Sequence, residues 1–240
     1  YIYIFEGCLS NEGGLCLTFK TYLSTFFFCF FTWLITVVLG FCVAYFLAFY
    51  VNSIPLQVCL FLVCTIPFWT SNVIRMVSWI PLLGRNGLVN EFFLSLGIID
   101  QPIEWLLYSS FSVILALVHL YTLFMIVPIF NSMIRIDRSI VEAAYDAGAS
   151  HRQIIFNIII PLSKTGIIIG SIFVVTVVMG DFLTIGIMGG QQLASVGKII
   201  NTEMNYLQFP GAAANAVILL IITIFIIYVM TKFIDNRKEL

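Results

Sequence analysis

The feature that most constrains this chain is a run of residues without any charge, from 22 to 51. The run is aromatic and aliphatic, and it is much longer than a buried strand. A helix of about 20 apolar residues crosses the hydrocarbon layer of a membrane. Because lipid offers the backbone no hydrogen-bond partners, such a run must be helical. The sequence therefore predicts a transmembrane helix here.

Further runs with few charges repeat this pattern along the chain. We predict four more spans, at 57–83, 105–131, 163–188 and 212–234. The chain is 61% hydrophobic and 10% charged, whereas a soluble domain carries about 25% charged residues. The net charge of −1 gives no overall field that would attract nucleic acid. We therefore predict an all-α integral membrane protein with five transmembrane helices and a transmembrane domain at 22–234.

Two short segments flank this predicted domain. Residues 1–21 are expected to form an outer segment before the first visible span, and residues 235–240 a cytoplasmic tail. Cys8 and Cys16 flank a Gly-rich turn in the first segment. They could form a disulfide or remain two free thiols. The chain begins with Tyr1 rather than Met, and we expect a first span to be missing.

Basic residues are distributed unevenly between the two sides of the predicted bundle. The loop 132–164 and the C-terminal end carry seven: Arg135, Arg138, Arg152, Lys164, Lys232, Arg237 and Lys238. The other side carries four: Lys20, Arg75, Arg85 and Lys198. Lys and Arg are retained on the cytoplasmic side of a membrane. We predict a cytoplasmic central loop and C-terminus. Five spans then place Tyr1 outside, and a preceding span would return the N-terminus to the cytoplasm.

Two of the loops follow the same design. After the turn signal Asn86–Gly87, residues 88–96 are predicted to form a short amphipathic helix on the membrane. The segment 189–210 repeats a Gly-rich turn followed by a short helix, which ends at Pro210.

The central loop, at 132–161, contains the signals of two short helices. Ser139 and Glu142 have capping-box spacing, and the alanines that follow favour a helix. Gly148 suits the left-handed residue that ends a helix.

A second capping box, Ser150 with Gln153, starts the next predicted helix of this loop. We predict that this helix ends at Pro161 and that Ser163 caps the following span. The loop is thus expected to be a helix–turn–helix outside the bilayer, which is either a docking element or a solvated connector.

The same loop resembles the EAA signature of binding-protein-dependent ABC import permeases. The matching residues are Glu142-Ala143-Ala144, Gly148, Ile158 and Pro161, with Ile160 where the signature has Leu. The resemblance implies that this loop is the coupling element that a cytoplasmic ATPase subunit grips. The residues it implicates in ATPase coupling are Glu142, Ala143, Ala144, Asp146, Gly148, Ile158 and Pro161.

Three further stretches are similar to the spermidine/putrescine branch of these permeases: 67–90, 179–190 and 209–220. The resemblance implies six family spans, a bacterial inner-membrane location and a polyamine cargo. It also implies four kinds of partner: two ATP-binding subunits, a second homologous permease, an extracytoplasmic solute-binding protein and the lipid bilayer. This chain would bind no cofactor, since ATP and Mg²⁺ would be used by the partner ATPase. Importers of ferric iron, thiamine and phosphonate share the scaffold, so these cargoes stay open.

Several polar and aromatic residues could line a path for a cation. A carboxylate in the bilayer is costly and should face protein or water, which makes Asp181 beside Phe182 the first candidate. Asp181 could instead cap the Gly-rich turn. Glu203, Trp69 and Trp79 are further pathway candidates, since acidic and aromatic surfaces bind ammonium groups.

Other polar residues also have more than one interpretation. Arg75 could pair with Asp181, contact a docked binding protein or reach the headgroups. Arg85 and Asn86 could meet the binding protein or be hydrated. His119, in the middle of a predicted span, could form an interhelical hydrogen bond or relay protons.

No catalytic motif is present in the sequence: it has no P-loop, nucleophile elbow or H-E-x-x-H pattern. The chain is therefore expected to be a transport subunit that is not itself an enzyme. The alternatives from other classes are an ATPase-independent channel or secondary carrier, and a membrane scaffold.

Overall fold

The computed structural model describes residues 17–190 and 192–235. Within these ranges the chain is helical and contains no strand, which confirms the predicted fold class. Cys8 and Cys16 lie outside the described residues, so their disulfide stays a prediction. The helices are α1 (Leu17–Tyr45), α2 (Ile54–Thr65), α3 (Asn72–Leu83), α4 (Leu88–Ser95), α5 (Ser110–Met133), α6 (Arg138–Asp146), α7 (His151–Ile154), α8 (Ile160–Gly180), α9 (Leu183–Met188), α10 (Val196–Asn205) and α11 (Phe209–Asp235).

Four helical stretches in the described part are long and apolar enough to cross a membrane: Thr18–Tyr50, Ser110–Met133, His151–Gly180 and Phe209–Lys232. A fifth span is reached if the bent pair of stretches Ile54–Trp69 and Asn72–Ser95 counts as one span. The predicted five spans agree with this second count.

The second predicted span, 57–83, is not one continuous helix. The α-helix ends at Thr65, continues as a 3-10 stretch at Ile66–Trp69 and resumes at Asn72. Pro67 lies inside the 3-10 stretch and has no N–H to donate to the preceding turn, so one hydrogen bond of the α-helical ladder is missing there. The predicted span is therefore bent at this stretch.

The fourth predicted span differs at both ends. The helix does not end at Pro161, because a π-helical stretch at Ile155–Ile159 joins α7 to α8 without a break. A wider π-turn accommodates the hydrogen bond that Pro161 cannot make. Ser163 Oγ donates to the Ile159 carbonyl at 2.6 Å, so it does not cap a new helix as predicted. At the other end, α8 stops at Gly180, before the predicted limit.

The chain forms two compact units. Among the described residues, the first unit comprises 17–32, 70–120, 175–190 and 192–225. Polar side chains tie its described loops to its helices: Thr25 Oγ1 accepts from the Val196 amide at 3.0 Å, and Ser112 Oγ donates to the Met188 carbonyl at 3.0 Å. All four residues are buried.

The second unit comprises the described residues 33–69, 121–174 and 226–235. Its helices α5 and α8 approach each other closely because glycines face the contact. A side chain at Gly166 would collide with the Pro128 carbonyl, and a Cβ at Gly170 would lie 2.7 Å from Met125 Sδ. Small residues at such contacts are what allows helices to pack without a hydrophobic driving force in lipid.

The two short loop helices form where they were predicted. α4 begins directly after Gly87, and α10 has Ser195 as its N-cap, with Oγ accepting from the Lys198 amide at 3.2 Å. Both confirm the turn-then-helix design of these loops. α10 ends at Asn205, ahead of Pro210.

Candidate functional site

The central loop is a helix–turn–helix, as predicted, but its first cap differs. Asp137 is the N-cap of α6, and its Oδ1 accepts from the Ser139 amide at 3.0 Å. The predicted capping box of Ser139 with Glu142 was therefore wrong, because the helix begins earlier, at Arg138. Hydrogen bonds from the backbone N–H of Ser139, and then from its side chain, hold the pKa of Asp137 below its usual range.

The turn between α6 and α7 is closed by two backbone bonds of the kind that ends a helix at a left-handed residue. The Gly148 amide donates to the Tyr145 carbonyl at 2.8 Å, and the Ala149 amide donates to the Ala144 carbonyl at 3.0 Å. Gly148 has φ of 83°, which glycine adopts at little cost. The prediction for Gly148 is confirmed.

The second capping box is also confirmed. The Ser150 amide donates to Gln153 Oε1 at 2.8 Å, and the Gln153 amide donates to Ser150 Oγ at 3.4 Å. The turn is thus fixed from both sides by local hydrogen bonds, which makes it a defined structural element and not a loose linker.

The surface of this loop is small and charged. Glu142, Ala143, Asp146 and Gly148 are exposed, and Ala144 is half-buried. Further along, Ile158 and Pro161 are half-buried in the π stretch and α8. Small side chains on an exposed helix let another backbone approach closely, so the geometry suits a docked partner.

Asp181 occupies the break between α8 and α9. Its Oδ1 accepts from the Thr184 amide at 2.8 Å, and its Oδ2 accepts from Thr184 Oγ1 at 2.7 Å. Asp181 is 9% exposed. The carboxylate therefore organises the start of α9, in line with its alternative role as a cap, and the pathway role stays a prediction.

Phe182, next to Asp181, is partly exposed and lines a cavity of about 390 Å³ with Asn201, Met204 and Thr223. Arg75 is buried, and its Nη2 donates to the Thr70 carbonyl and to Thr70 Oγ1, each at 3.0 Å. The ion pair of Arg75 with Asp181 stays a prediction.

Glu203 lies in a polar cavity of about 480 Å³ in the first unit. Asn215 Nδ2 donates to both carboxylate oxygens, at 3.3 and 3.1 Å. The Tyr22 hydroxyl donates to the Asn215 carbonyl at 3.3 Å. A Cβ at Gly211 would lie 3.1 Å from Glu203 Oε1, so glycine leaves room for the carboxylate.

The charged side chains that line this cavity are acidic only. Its lining contains one carboxylate and no Lys or Arg: Thr18, Thr21, Tyr22, Val196, Ile199, Glu203, Gln208, Pro210, Gly211 and Asn215. A partly buried carboxylate without a basic neighbour in its cavity attracts a cation.

The tryptophans occupy different surroundings. Trp79 Nε1 donates to His119 Nδ1 at 3.2 Å, which joins α3 to α5. This confirms the interhelical hydrogen bond for His119. An indole can only donate, so His119 Nδ1 is unprotonated in this arrangement. Trp69, in the second unit, is 84% exposed. The pathway roles of both tryptophans stay predictions.

Arg85 and Asn86 lie on the exposed turn before α4. Arg85 Nη1 forms an ion pair with Glu104 Oε1 at 3.3 Å, and both side chains are largely exposed. Such a pair contributes little to stability, so both groups stay accessible to a docking protein.

Asn90 organises this same segment and was missed by the sequence analysis. It is fully buried. Its Nδ2 donates to the carbonyls of Gly84 and Ile103, and its Oδ1 accepts from the Ile103 amide at 2.8 Å. A single polar residue on the apolar face of a short helix was the available signal.

The largest of the described cavities, about 800 Å³, lies at the second loop helix. Lys198 Nζ donates to the carbonyls of Gly190 and Leu193, at 2.7 and 3.0 Å. Burial lowers the pKa of Lys198. These bonds hold the loop against α10, and Lys198 is itself part of the cavity lining. Among the described residues, no group of three His, Cys, Asp or Glu side chains could hold a metal ion.

Comparisons with known proteins point to one family. The family model for "binding-protein-dependent transport system inner membrane component" matches residues 15–240. The spermidine/putrescine transport system permease protein PotB of Salmonella typhimurium is 36% identical over 205 residues, covering 84% of this chain and 70% of the relative. PotB of Escherichia coli is also 36% identical, with 84% and 73% covered. PotB of Haemophilus influenzae is 34% identical over 185 residues, with 75% and 64% covered.

Proposed function

This chain belongs to the family of binding-protein-dependent transport system inner membrane components, and from this premise we propose that it passes a polyamine across the membrane, powered by a separate ATPase. The family makes it a multi-pass permease subunit of an ABC importer in the inner membrane. Two ATP-binding subunits, a second homologous permease and an extracytoplasmic solute-binding protein would complete the transporter. ATP and Mg²⁺ would act on the ATPase, and this chain would bind no cofactor.

The observation that carries the ATPase coupling is the exposed helix–turn–helix. Its turn is fixed by Gly148 and by the Ser150–Gln153 capping box. The side chains of Glu142 and Asp146 form no hydrogen bond or ion pair with other described residues. A rigid turn with unpaired surface charges suits a joint that moves as one body with its partner.

The polyamine cargo is supported by the names of the PotB relatives and by the chemistry of the first unit. A polyamine is a flexible chain of ammonium groups, and the Glu203 cavity offers a carboxylate beside a phenol ring without a basic competitor. Asp181 with the partly exposed Phe182 offers a second acidic and aromatic pair. Trp69 and Trp79 could add aromatic faces.

The test is cargo-stimulated ATP hydrolysis in lipid vesicles that contain this chain, the second permease, the ATPase and the binding protein. Spermidine or putrescine would be added first, followed by ferric iron, thiamine and aminoethylphosphonate. We expect stimulation by a polyamine. Stimulation only by another compound would contradict the polyamine cargo, and uptake without any ATPase would favour a channel or secondary carrier.

Matched variants sharpen this test. Glu203→Gln and Asp181→Asn remove a charge with little change of shape, and each should raise the polyamine concentration that gives half-maximal stimulation. Glu91→Gln, on the exposed face of α4, removes a similar charge from a residue that does not line the Glu203 cavity. Equal responses of all three variants would contradict the assignment of the two acidic residues to the pathway.

A further inference from the structure

The C-terminal end of α1 has an unusual backbone. The α-helix ends at Tyr45 and continues as a π-helical turn, Phe46–Tyr50. The last carbonyls of a helix have no partner inside it, and buried carbonyls need one. Leu47 and Ala48 are both buried. Their carbonyls therefore accept hydrogen bonds from side chains of other elements.

One donor comes from the neighbouring α2. Gln57 Nε2 donates to the Leu47 carbonyl at 2.7 Å, which fixes the connection between the two helices.

The other donor comes from the central loop. Arg138, the first residue of α6, donates through Nη2 to the Ala48 carbonyl at 3.3 Å and through Nη1 to Asn52 Oδ1 at 2.6 Å. A planar guanidinium can hold two acceptors at once in a fixed geometry. The N-terminal end of α6 is thus attached to the end of α1.

The far side of the turn makes a second attachment to the same helix. His151, the first residue of α7, has its Nδ1 2.7 Å from the Tyr145 hydroxyl and its Nε2 3.5 Å from the Tyr45 hydroxyl. A neutral imidazole donates from one nitrogen and accepts at the other, and a phenol can do either. Both imidazole nitrogens therefore have a partner, one on α6 and one on α1.

From these contacts we propose that Arg138 and His151 are positioning residues that make α1 move together with the central loop. This inference rests on the proposed ATPase coupling. The loop continues directly into α8, but only through the π-helical stretch Ile155–Ile159 before Pro161, where the regular helix is interrupted. A displacement of α6 and α7 would be passed to α1 by two side-chain attachments, one from Arg138 at the start of α6 and one from His151 at the start of α7.

The first test measures geometry. Spin labels are placed at Ile140 on α6 and at Cys42 on α1, both exposed, with the other cysteines replaced. In the assembled transporter with and without ATP, the label distance should stay constant and narrowly distributed in the parent chain. It should broaden in Arg138→Met and in the double variant Tyr45→Phe/Tyr145→Phe. An equally narrow distance in these variants would overturn the proposal.

The second test measures coupling as cargo moved per ATP hydrolysed. We expect a loss of at least about fivefold in Arg138→Met and in Tyr45→Phe/Tyr145→Phe, since each removes two hydrogen bonds and one net hydrogen bond represents about fivefold. Arg138→Lys keeps a donor at the start of α6 and should recover much of the ratio. Tyr228→Phe, an exposed phenol on α11, is the matched control and should leave it unchanged.

The outcomes separate the two proposals. If Arg138→Met and Tyr45→Phe/Tyr145→Phe both moved as much cargo per ATP as the parent chain, the positioning role of Arg138 and His151 would be overturned while ATPase coupling stayed intact. A chain that binds no ATPase would contradict both the proposed function and the coupling role of Arg138 and His151. The label distance in the chain alone would still report whether the two attachments exist.

Discussion

Gly148 determines the backbone conformation of the turn in the central loop. Its φ of 83° lies in the left-handed region, which costs a residue with a Cβ about 1–2 kcal/mol. A Cβ built there meets nothing within 4 Å. The constraint on this position is therefore the backbone and not the available space.

We predict that Gly148→Val lowers cargo-stimulated ATP hydrolysis severalfold, since a β-branched residue disfavours the conformation that closes the turn. Gly148→Asn should keep most of the activity, because Asn tolerates left-handed backbone better than other side chains. Insertion into the membrane should be unaffected in both. If the Val variant were as active as the Asn variant, the turn would have no role in coupling.

Asp137 gives the same loop a dependence on pH. Its folded-state pKa is lowered, so the unfolded first turn of α6 binds a proton more readily than the folded one. The stabilisation is present above the ordinary Asp pKa of about 3.9 and is lost as the pH falls through the lower folded value.

Hydrogen exchange at the Ser139 and Ile140 amides should therefore show protection that decreases on acidification below about pH 4, after correction for intrinsic rates. In Asp137→Asn the cap is kept but the carboxylate is gone, and this decrease should disappear. Asp146→Asn, at the other end of α6, is the control that should behave like the parent chain. A parallel decrease in Asp137→Asn would contradict the assignment of the cap.

The helices themselves were predictable where a local signal determines them. The apolar runs predicted the spans because lipid leaves the backbone no alternative, and Gly87 and Gly148 were correctly placed in turns. Pro67 and Pro161 show the limit. A proline interrupts the ladder in both cases, but one gives a bend and the other only a π-turn, depending on packing that the sequence does not display.

The sites were predictable to a smaller degree. The exposed small residues of the loop followed from its pattern, whereas the bonds of Arg138, His151 and Asn90 join residues that lie apart in the chain. Each of these polar side chains could equally be hydrated, so no spacing rule could indicate which hydrogen-bond partner it would find.

The contact of α5 with α8 provides a test of packing between helices. Gly166→Ala places a methyl group against the Pro128 backbone and the Ser132 side chain, where neither can yield easily. Overpacking of this kind costs about 1–3 kcal/mol. We predict a lower midpoint of thermal unfolding for the purified chain in detergent.

Gly180→Ala is the matched control on the same helix, since a Cβ there meets nothing within 4 Å. It should leave the midpoint unchanged or raise it slightly, because Ala favours a helix over Gly. Equal midpoints for the Gly166 and Gly180 variants would show that α5 and α8 do not approach as closely as described.

The whole molecule combines two kinds of surface. The first unit holds the Glu203 cavity and the buried Asp181 at the start of α9, and the second holds the loop with its exposed Glu142 and Asp146. Family membership could be predicted from the EAA pattern because its residues have a fixed spacing along the chain. The cargo stays a prediction, since the cavity residues come from several separate helices whose contacts the sequence does not display.

The proposed function requires the central loop to lie on the cytoplasmic side of the membrane, because ATP is available only there. The bias of seven basic residues against four predicts that the central loop lies there. In a chain whose own cysteines are replaced, Glu142→Cys should react with a membrane-impermeant maleimide in inside-out vesicles only. Glu91→Cys on α4, which is equally exposed, should react in right-side-out vesicles only. The two variants control for each other, since each must be reactive in one preparation and protected in the other. Reaction of Glu142→Cys from outside would place the loop where no ATPase can bind it, and the proposed coupling would fail with the predicted orientation.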